Sequence, residues 1–127
     1  MKYLIDTNIV IYYLNNEYEI VYRMKDMSNF CISTITVGEL YYGLNNSSKK
    51  LENEIILENF LRNIEIVDIN KKIAFHYGYI KSKLKKQGNL IPDNDIWIAA
   101  IAYNRNLVIA TRDKHFQHID FIHLEKW

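Results

Sequence analysis

The chain has 127 residues, a length that suits one domain with a single hydrophobic core. Its composition, 49% hydrophobic and 24% charged, is typical of a globular protein, and no apolar run is long enough to cross a membrane. A net charge of +1 excludes a globally basic nucleic-acid-binding chain, so any site for a polyanion must be built locally.

Five short apolar runs, rich in β-branched and aromatic residues, are typical of buried strands. They span residues 2–5, 30–32, 64–67, 107–110 and 121–124. Helical three-to-four spacing of apolar residues occurs between them, at 36–44, 48–63, 70–88 and 93–106. The alternation predicts an α/β fold: a single domain over residues 1–127, with a mostly parallel central sheet flanked by helices on both faces.

The first apolar run breaks off into Asp6-Thr7-Asn8 before the sequence turns apolar again. This interruption, with no small-residue cleavage site after it, argues against a signal peptide and favours a cytoplasmic location. Open parallel sheets form their sites just beyond the carboxyl ends of the strands, where Asp6 is predicted to lie. The alternative explanation is a turn, or capping by Asp6 or Asn8 of a helix that contains the following residues IVIYYL.

Glu39 lies in the predicted helix that follows the second strand. Thr36 precedes it by three residues, and Thr-x-x-Glu is the pattern of a capping box. Taken alone, Glu39 is explained by that structural role.

Two aspartates open the helix predicted over residues 93–106, where the helix dipole favours negative charge. Asp93 is the natural cap, which leaves Asp95 without a capping role. Asp113 follows the fourth strand as Asp6 follows the first, and otherwise reads as an ordinary turn residue.

Four acidic residues are therefore predicted at one edge of the sheet: Asp6, Glu39, Asp95 and Asp113. Their mutual repulsion requires protons or a divalent cation to relieve it. Oxygen donors favour Mg²⁺ or Mn²⁺, and His115, His118 and His123 lack the usual spacing of zinc ligands. A carboxylate cage holding such an ion suits phosphodiester hydrolysis.

Four stretches, YLIDTNIVI, ISTITVGELYYG, NDIWIAA and LVIATRDKHF, resemble in their order and spacing the PIN-domain family, and most of all the VapC-type toxins of bacterial toxin–antitoxin pairs. The resemblance covers almost the whole chain. It implies a Mg²⁺- or Mn²⁺-dependent endoribonuclease whose metal-binding and catalytic cluster is Asp6, Glu39, Asp95 and Asp113. It also selects Asp95 over Asp93, and it makes Asp113 the least uniform ligand position.

The same resemblance assigns supporting hydrogen bonds to Thr7, Asn8 and Thr111. It implies that the metal held by Asp6 and Asp95 activates a water that Glu39 positions, leaving 5′-phosphate and 3′-hydroxyl ends. The partners it implies are an RNA substrate, a second copy of the chain in a homodimer, and a small DNA-binding VapB-like antitoxin. The antitoxin's C-terminal segment would lie across the groove and insert a basic side chain into the acidic pocket.

Contacts to RNA are less defined by the sequence. Arg112, beside Asp113, is a possible phosphate contact. Four lysines crowd the end of one predicted helix, Lys81, Lys83, Lys85 and Lys86, where a solvated helix end is the favoured interpretation. Four tyrosines flank the site in sequence, Tyr12, Tyr13, Tyr41 and Tyr42, and about half of them are expected to pack in the core.

Two alternatives stay open: a non-catalytic RNA- or protein-binding PIN-like module, and a structure-specific DNA nuclease. The first would be expected to lack one of the four carboxylates. A phospho-accepting receiver domain is disfavoured because it needs paired acids after the first strand, where only Asp6 is present. A haloacid-dehalogenase-like phosphatase is disfavoured because residue 8 is Asn8 and not the second aspartate of an Asp-x-Asp motif.

Overall fold

A five-stranded sheet lies at the centre of the computed structural model, which describes residues 2–127. Its strands are β1 (Tyr3–Ile5), β2 (Phe30–Ser33), β3 (Glu65–Val67), β4 (Val108–Thr111) and β5 (His123–Lys126). They are ordered β3-β2-β1-β4-β5, and every neighbouring pair is parallel. The predicted α/β fold is thereby confirmed.

Within the described residues, six α-helices cover the two faces of this sheet. They are α1 (Thr7–Leu14), α2 (Tyr18–Arg23), α3 (Thr34–Asn45), α4 (Lys50–Arg62), α5 (Lys71–Lys86) and α6 (Asp93–Arg105). Side chains alternate along each strand, so Leu4 joins the core beneath α5 and α6 while Ile5 joins the core beneath α1, α3 and α4. None of the helices in residues 2–127 is long and apolar enough to span a membrane.

The strand order creates a crevice between β1 and β4. From β1 the chain moves outward to β2 and β3, whereas β4 and β5 occupy the other side of β1. After β1 the chain enters α1 on one face, and after β4 it enters a 3₁₀ turn, Lys114–His118, whose Phe116 packs in the core of the opposite face. Such a switch point is where open α/β sheets bind ligands, and Asp6 and Asp113 stand on either side of it.

The last strand differs from the prediction, which placed it over residues 121–124 and not over His123–Lys126. Phe121 lies before the ladder and packs its ring 5.3 Å from that of Tyr103 on α6. Phe121 and Ile122 therefore serve side-chain packing, and the paired segment begins only at His123.

One helix, α2, was not predicted. Among its six residues only Ile20 is buried, so the sequence carries no periodic apolar stripe there.

Candidate active site

Asp6 is the first residue after β1, and it caps α1. Its Oδ1 accepts a hydrogen bond of 2.7 Å from the backbone N–H of Thr7, and its Oδ2 accepts one of 2.7 Å from the hydroxyl of Thr111 at the end of β4. The side chain is only 4% exposed. Asp6 thus both caps α1 and lies in the crevice, and its hydrogen bond with Thr111 links the ends of β1 and β4.

Glu39 projects from α3 towards the same crevice. Its Oε1 accepts a 2.7 Å hydrogen bond from the Thr7 hydroxyl, which also lies 3.0 Å from the hydroxyl of buried Thr36. The predicted capping box is wrong, because α3 begins at Thr34 and is capped by Ser33, whose hydroxyl accepts from the Thr36 N–H. Glu39 is therefore free of any capping role.

Asp95 and Asp113 face each other across the other side of the crevice, with His115 beside both. The imidazole Nδ1 of His115 lies 2.9 Å from Asp113 Oδ1 and 3.3 Å from Asp95 Oδ2. One ligand atom from each of the three residues can be chosen so that all lie within 4.8 Å of one another. Asp113 is held in place by its own N–H, which donates to the Thr111 hydroxyl at 2.9 Å.

Two of the carboxylates in this crevice, Asp6 and Asp95, are destabilised as anions. Burial raises the pKa of Asp95 to about 6, with further contributions from the negative charges of Asp113 and Asp6, while His115 opposes the rise. Burial also raises the pKa of Asp6; its hydrogen bonds from Thr111 and Thr7 oppose that shift, and the charges of Asp113 and Glu39 add to it. The cluster thus concentrates negative charge that neither solvent nor neighbouring groups fully compensate.

A pocket of about 450 Å³ joins these groups. Among residues 2–127, it is lined by Asp6, Thr7, Asn8, Glu39, Pro92, Asp93, Asn94, Asp95, Asp113 and His115, with no lysine or arginine. A hard divalent cation fits this donor set, because carboxylate oxygens dominate it and no thiolate is present. All four predicted acidic residues therefore line one pocket.

Asp93 also borders the pocket, but its carboxylate is neutralised. It accepts hydrogen bonds from Lys81 Nζ at 2.9 Å and from the Tyr77 hydroxyl at 2.8 Å, and these donors lower its pKa. The predicted cap is wrong: Pro92 occupies the cap position of α6, and no side chain caps the helix. The uncompensated charge at the start of α6 therefore belongs to Asp95.

The remaining predicted residues take different positions. Asn8 is exposed on the pocket wall. Arg112 turns away from it, donating to both carboxylate oxygens of Glu17, at 2.6 and 3.3 Å, and to the carbonyl oxygen of Trp127 at 2.6 Å. Its guanidinium also lies 4.6 Å from the ring centre of Tyr12. Arg112 is thus engaged within the chain, and its contact with RNA stays a prediction.

The lysines and tyrosines divide in the expected way. Lys81 pairs with Asp93, Lys83 lies 3.6 Å from Asp120, and Lys85 and Lys86 are exposed in the last turn of α5. Tyr12 and Tyr13 pack against the core, whereas Tyr41 and Tyr42 are exposed on α3. Half of the four tyrosines are therefore core residues.

The sequence and structure were compared with known proteins. Residues 3–122 match the profile of the PIN domain. The chain belongs to the PIN-domain family. A ribonuclease VapC2 of Haemophilus influenzae is 40% identical over 130 residues, covering 100% of this chain and 98% of its own. The tRNA(fMet)-specific endonuclease VapC of Salmonella typhimurium is 32% identical with the same coverage.

Solved PIN-domain structures agree with the whole fold. VapBC2 of Rickettsia felis, crystallised with a DNA fragment from its promoter, gives a TM-score of 0.93 at 33% identity and covers 100% of this chain and 99% of that one. DNA-bound VapBC of Salmonella typhimurium gives 0.94 at 33% identity, covering 100% and 98%. The predicted family is thereby confirmed.

Sequence reasoning missed two members of this PIN-domain site. His115 was considered only as part of a histidine cluster, yet it joins the carboxylates while His118 and His123 stay outside the group. Its position two residues after Asp113 was the available signal, because a tight turn brings residues i and i+2 together. Thr36 was assigned to capping, and nothing local to it indicates its contact with Thr7.

Proposed function

We propose that this PIN-domain protein is a divalent-metal-dependent endoribonuclease and the toxin of a toxin–antitoxin pair. The observation that carries the proposal is the meeting of Asp6, Glu39, Asp95 and Asp113 in one pocket that is poor in compensating cations. Relatives at 32% and 40% identity named as an endonuclease and a ribonuclease support RNA as the substrate.

Asp6, Asp95 and Asp113 would hold the metal, for which we propose Mg²⁺ or Mn²⁺. When bound, the cation would lower the pKa of a water and neutralise charge that develops on the phosphate oxygens. Hard carboxylate oxygens are the donors these two ions accept, which supports the choice. Asp113, held by Thr111 and by the turn, supplies the ligand nearest to solvent among the three.

Threonine hydroxyls near the site orient two of its carboxylates, those of Asp6 and Glu39. Thr111 and the Thr7 N–H each donate to one oxygen of Asp6, which leaves a lone pair on each oxygen for a ligand. The Thr7 hydroxyl aims Glu39, to which we assign the task of accepting a hydrogen bond from the attacking water. In-line attack on the phosphodiester would then leave a 5′-phosphate and a 3′-hydroxyl.

An apolar groove supports the proposed antitoxin partner. It is a cavity of about 290 Å³ between α1, α3 and α4 that shares Glu39 with the acidic pocket. Its apolar lining is Ile11, Leu14, Leu40, Leu44, Ile56 and Leu57. A segment with apolar side chains in the groove and a basic residue beyond Glu39 would complement both surfaces. Relatives crystallised as VapBC complexes support such a partner.

A homodimer is proposed as the working form, acting in the cytoplasm. Aromatic side chains that stand exposed on α5 and α6 support an interface there, since large exposed apolar patches mark interaction sites. Phe75 is 72% exposed, Tyr79 57% and Tyr103 45%.

Cleavage of total cellular RNA by the purified chain tests the proposal. We expect discrete cuts with 5′-phosphate ends in Mg²⁺ or Mn²⁺, no cuts in EDTA, and none with Asp6→Ala in any buffer. Adding the cognate antitoxin should suppress cleavage. No cutting by metal-loaded protein would favour the non-catalytic module, and cutting of DNA alone would favour a DNA nuclease.

A further inference from the structure

One group in the acidic pocket has no part in the function proposed so far. His115 turns its Nδ1 towards the two carboxylates on its side of the crevice, at 2.9 Å from Asp113 and 3.3 Å from Asp95. Its side chain is 49% exposed, against 24% for Asp113 and 14% for Asp95. The imidazole therefore forms part of the solvent-facing wall of the pocket.

We propose that His115 supplies a nitrogen ligand to the cation held by Asp95 and Asp113, and that this ligand makes the site prefer Mn²⁺ to Mg²⁺. The inference rests on the proposed function, because it requires a cation at these carboxylates. It adds a fifth residue to the four acidic ones and predicts which ion the site selects.

The distances suit neighbouring ligands of one ion. Two ligands that occupy adjacent corners of an octahedron, each about 2.1 Å from the metal, lie about 3.0 Å apart, whereas opposite corners lie about 4.2 Å apart. The two separations from His115 Nδ1 match the adjacent arrangement. One ligand atom from each of the three residues fits within 4.8 Å, so all three can reach one ion together.

The backbone holds His115 at this distance. Its N–H donates a 2.8 Å hydrogen bond to Asp113 Oδ1, which closes the first turn of the 3₁₀ segment Lys114–His118. Phe116, the next residue, is fully buried and anchors the segment in the core. The imidazole is therefore kept beside Asp113 by the fold and not only by its attraction to the carboxylates.

Ligand chemistry gives the expected selectivity. Mg²⁺ favours oxygen ligands and retains much of its water, whereas imidazole is a better donor to first-row transition ions. A pocket of carboxylates alone would discriminate little between Mg²⁺ and Mn²⁺. Adding the His115 nitrogen should strengthen Mn²⁺ binding more than Mg²⁺ binding.

Binding of Mn²⁺ to the untagged, full-length protein tests this inference without measuring cleavage. Electron paramagnetic resonance gives the affinity for Mn²⁺, competition by Mg²⁺ gives the selectivity, and electron spin echo modulation detects a ¹⁴N nucleus bonded to the ion. Four proteins are compared: wild type, His115→Ala, His118→Ala and Asp95→Asn. His118 is the matched control, because it is exposed in the same 3₁₀ segment and lies outside the three-residue group.

We expect ¹⁴N modulation in wild type and in His118→Ala, and its loss in His115→Ala. The Mn²⁺ affinity of His115→Ala should fall about tenfold or more, with a smaller change for Mg²⁺. Asp95→Asn should bind neither ion well.

Tight Mn²⁺ binding that Asp95→Asn abolishes, with no ¹⁴N signal and no effect of His115→Ala, would overturn the role of His115 and leave the proposed nuclease intact. Binding of Mg²⁺ but not Mn²⁺ by wild type would overturn only the role of His115, whereas failure to bind either ion would overturn both proposals.

Discussion

The two halves of the acidic pocket are held in place by different means. In the hydroxyl-braced half, formed by Asp6 and Glu39, threonine donors reach each carboxylate at 2.7 Å. In the open half, formed by Asp95 and Asp113 with His115, the carboxylates face each other and share only the imidazole. Side-chain hydroxyls therefore brace the first half, whereas in the second half the hydrogen bonds that hold Asp113 involve backbone N–H groups.

The pKa shifts follow from this difference. Burial raises the pKa of both Asp6 and Asp95, but hydrogen bonds from Thr111 and Thr7 offset part of the effect at Asp6. At Asp95 the nearby charges of Asp113 and Asp6 add to burial, and the pKa reaches about 6. The larger pKa shift therefore belongs to Asp95, on the side of the pocket that opens to solvent.

Removing charge from the open half should have the largest effect. We expect Asp95→Asn to lower RNA cleavage about 10³-fold, because a proposed metal ligand is lost. In EDTA at pH 7.5 the same variant should raise the free energy of unfolding by about 1 to 3 kcal/mol, because a buried carboxylate no longer has to ionise. Cleavage assays and urea denaturation measure the two effects.

Asp93→Asn is the matched control for that variant. The carboxylate of Asp93 is already neutralised by Lys81, so this change should preserve cleavage and should not stabilise the fold. Normal cutting by Asp95→Asn, or destabilisation of the metal-free protein, would contradict the distinction between the two aspartates.

Disrupting the hydroxyl-braced half should have a smaller effect on activity. Thr7→Val removes the donor to Glu39 while keeping the shape of the side chain, and we expect cleavage to fall about 10- to 100-fold. The decrease should appear in kcat and not in Mn²⁺ affinity, because Glu39 is assigned to the water. Thr7→Ser should restore most of the activity.

Thr34→Val, at the first residue of α3 and outside the network, should be neutral. A Thr7→Val protein with normal kcat would show that the fold orients Glu39 without this hydroxyl.

The difference between the halves also predicts a pH dependence of stability. Because the pKa of Asp95 is raised on folding from an ordinary 3.8 to about 6, its stabilising contribution is complete below pH 3.8 and is lost as pH rises through 6. In EDTA we expect the free energy of unfolding to fall by about 1 kcal/mol between pH 5 and pH 7.5. Chemical denaturation at several pH values measures this, and Asp95→Asn should flatten the curve. A metal-free wild type whose stability rises over that range would refute the assignment.

The smallest effects are expected behind the pocket, at the pair Arg112 and Glu17. The side chains are 30% and 37% exposed, so Glu17→Gln should cost about 1 kcal/mol or less and change cleavage by a few-fold at most. Arg112→Ala tests whether Arg112 only stabilises the fold through its ion pair with Glu17 or also contacts RNA. A rise in KM that weakens with added salt, in Arg112→Ala but not in Glu17→Gln, would indicate that Arg112 contacts phosphate.

The sequence predicted the elements that depend on local apolar patterns better than the contacts between distant side chains. Four strands lie within one residue of their predicted bounds, because each coincides with a short apolar run in the sequence. The fifth was misplaced because Phe121 is apolar for packing and not for pairing. Asp6 caps α1 as one of the predictions allowed. The caps predicted at Thr36 and Asp93 are wrong, and these two side chains instead form hydrogen bonds with partners distant in sequence.

The four acidic positions were predictable because strand ends and helix starts of an α/β fold share one edge. The hydrogen bond between Thr111 and Asp6 and the approach of His115 to Asp95 were not, because the partners come from separate elements whose relative position only the folded sheet determines. The catalytic roles of the four acidic residues stay predictions until metal binding and RNA cleavage are measured.

The hydrogen bond that ties Thr111 to Asp6 spans 105 residues of chain. At ribosomal rates of 5 to 20 residues per second, about 5 to 20 seconds separate the synthesis of the two residues. During that interval Asp6 has been made but lacks both its hydroxyl donor and the Asp113 that completes the pocket. A nascent chain therefore carries an incomplete acidic cluster until Thr111 and Asp113 have been made. Because β4 is synthesised late, the acidic pocket can be completed only after most of the chain has left the ribosome's active site.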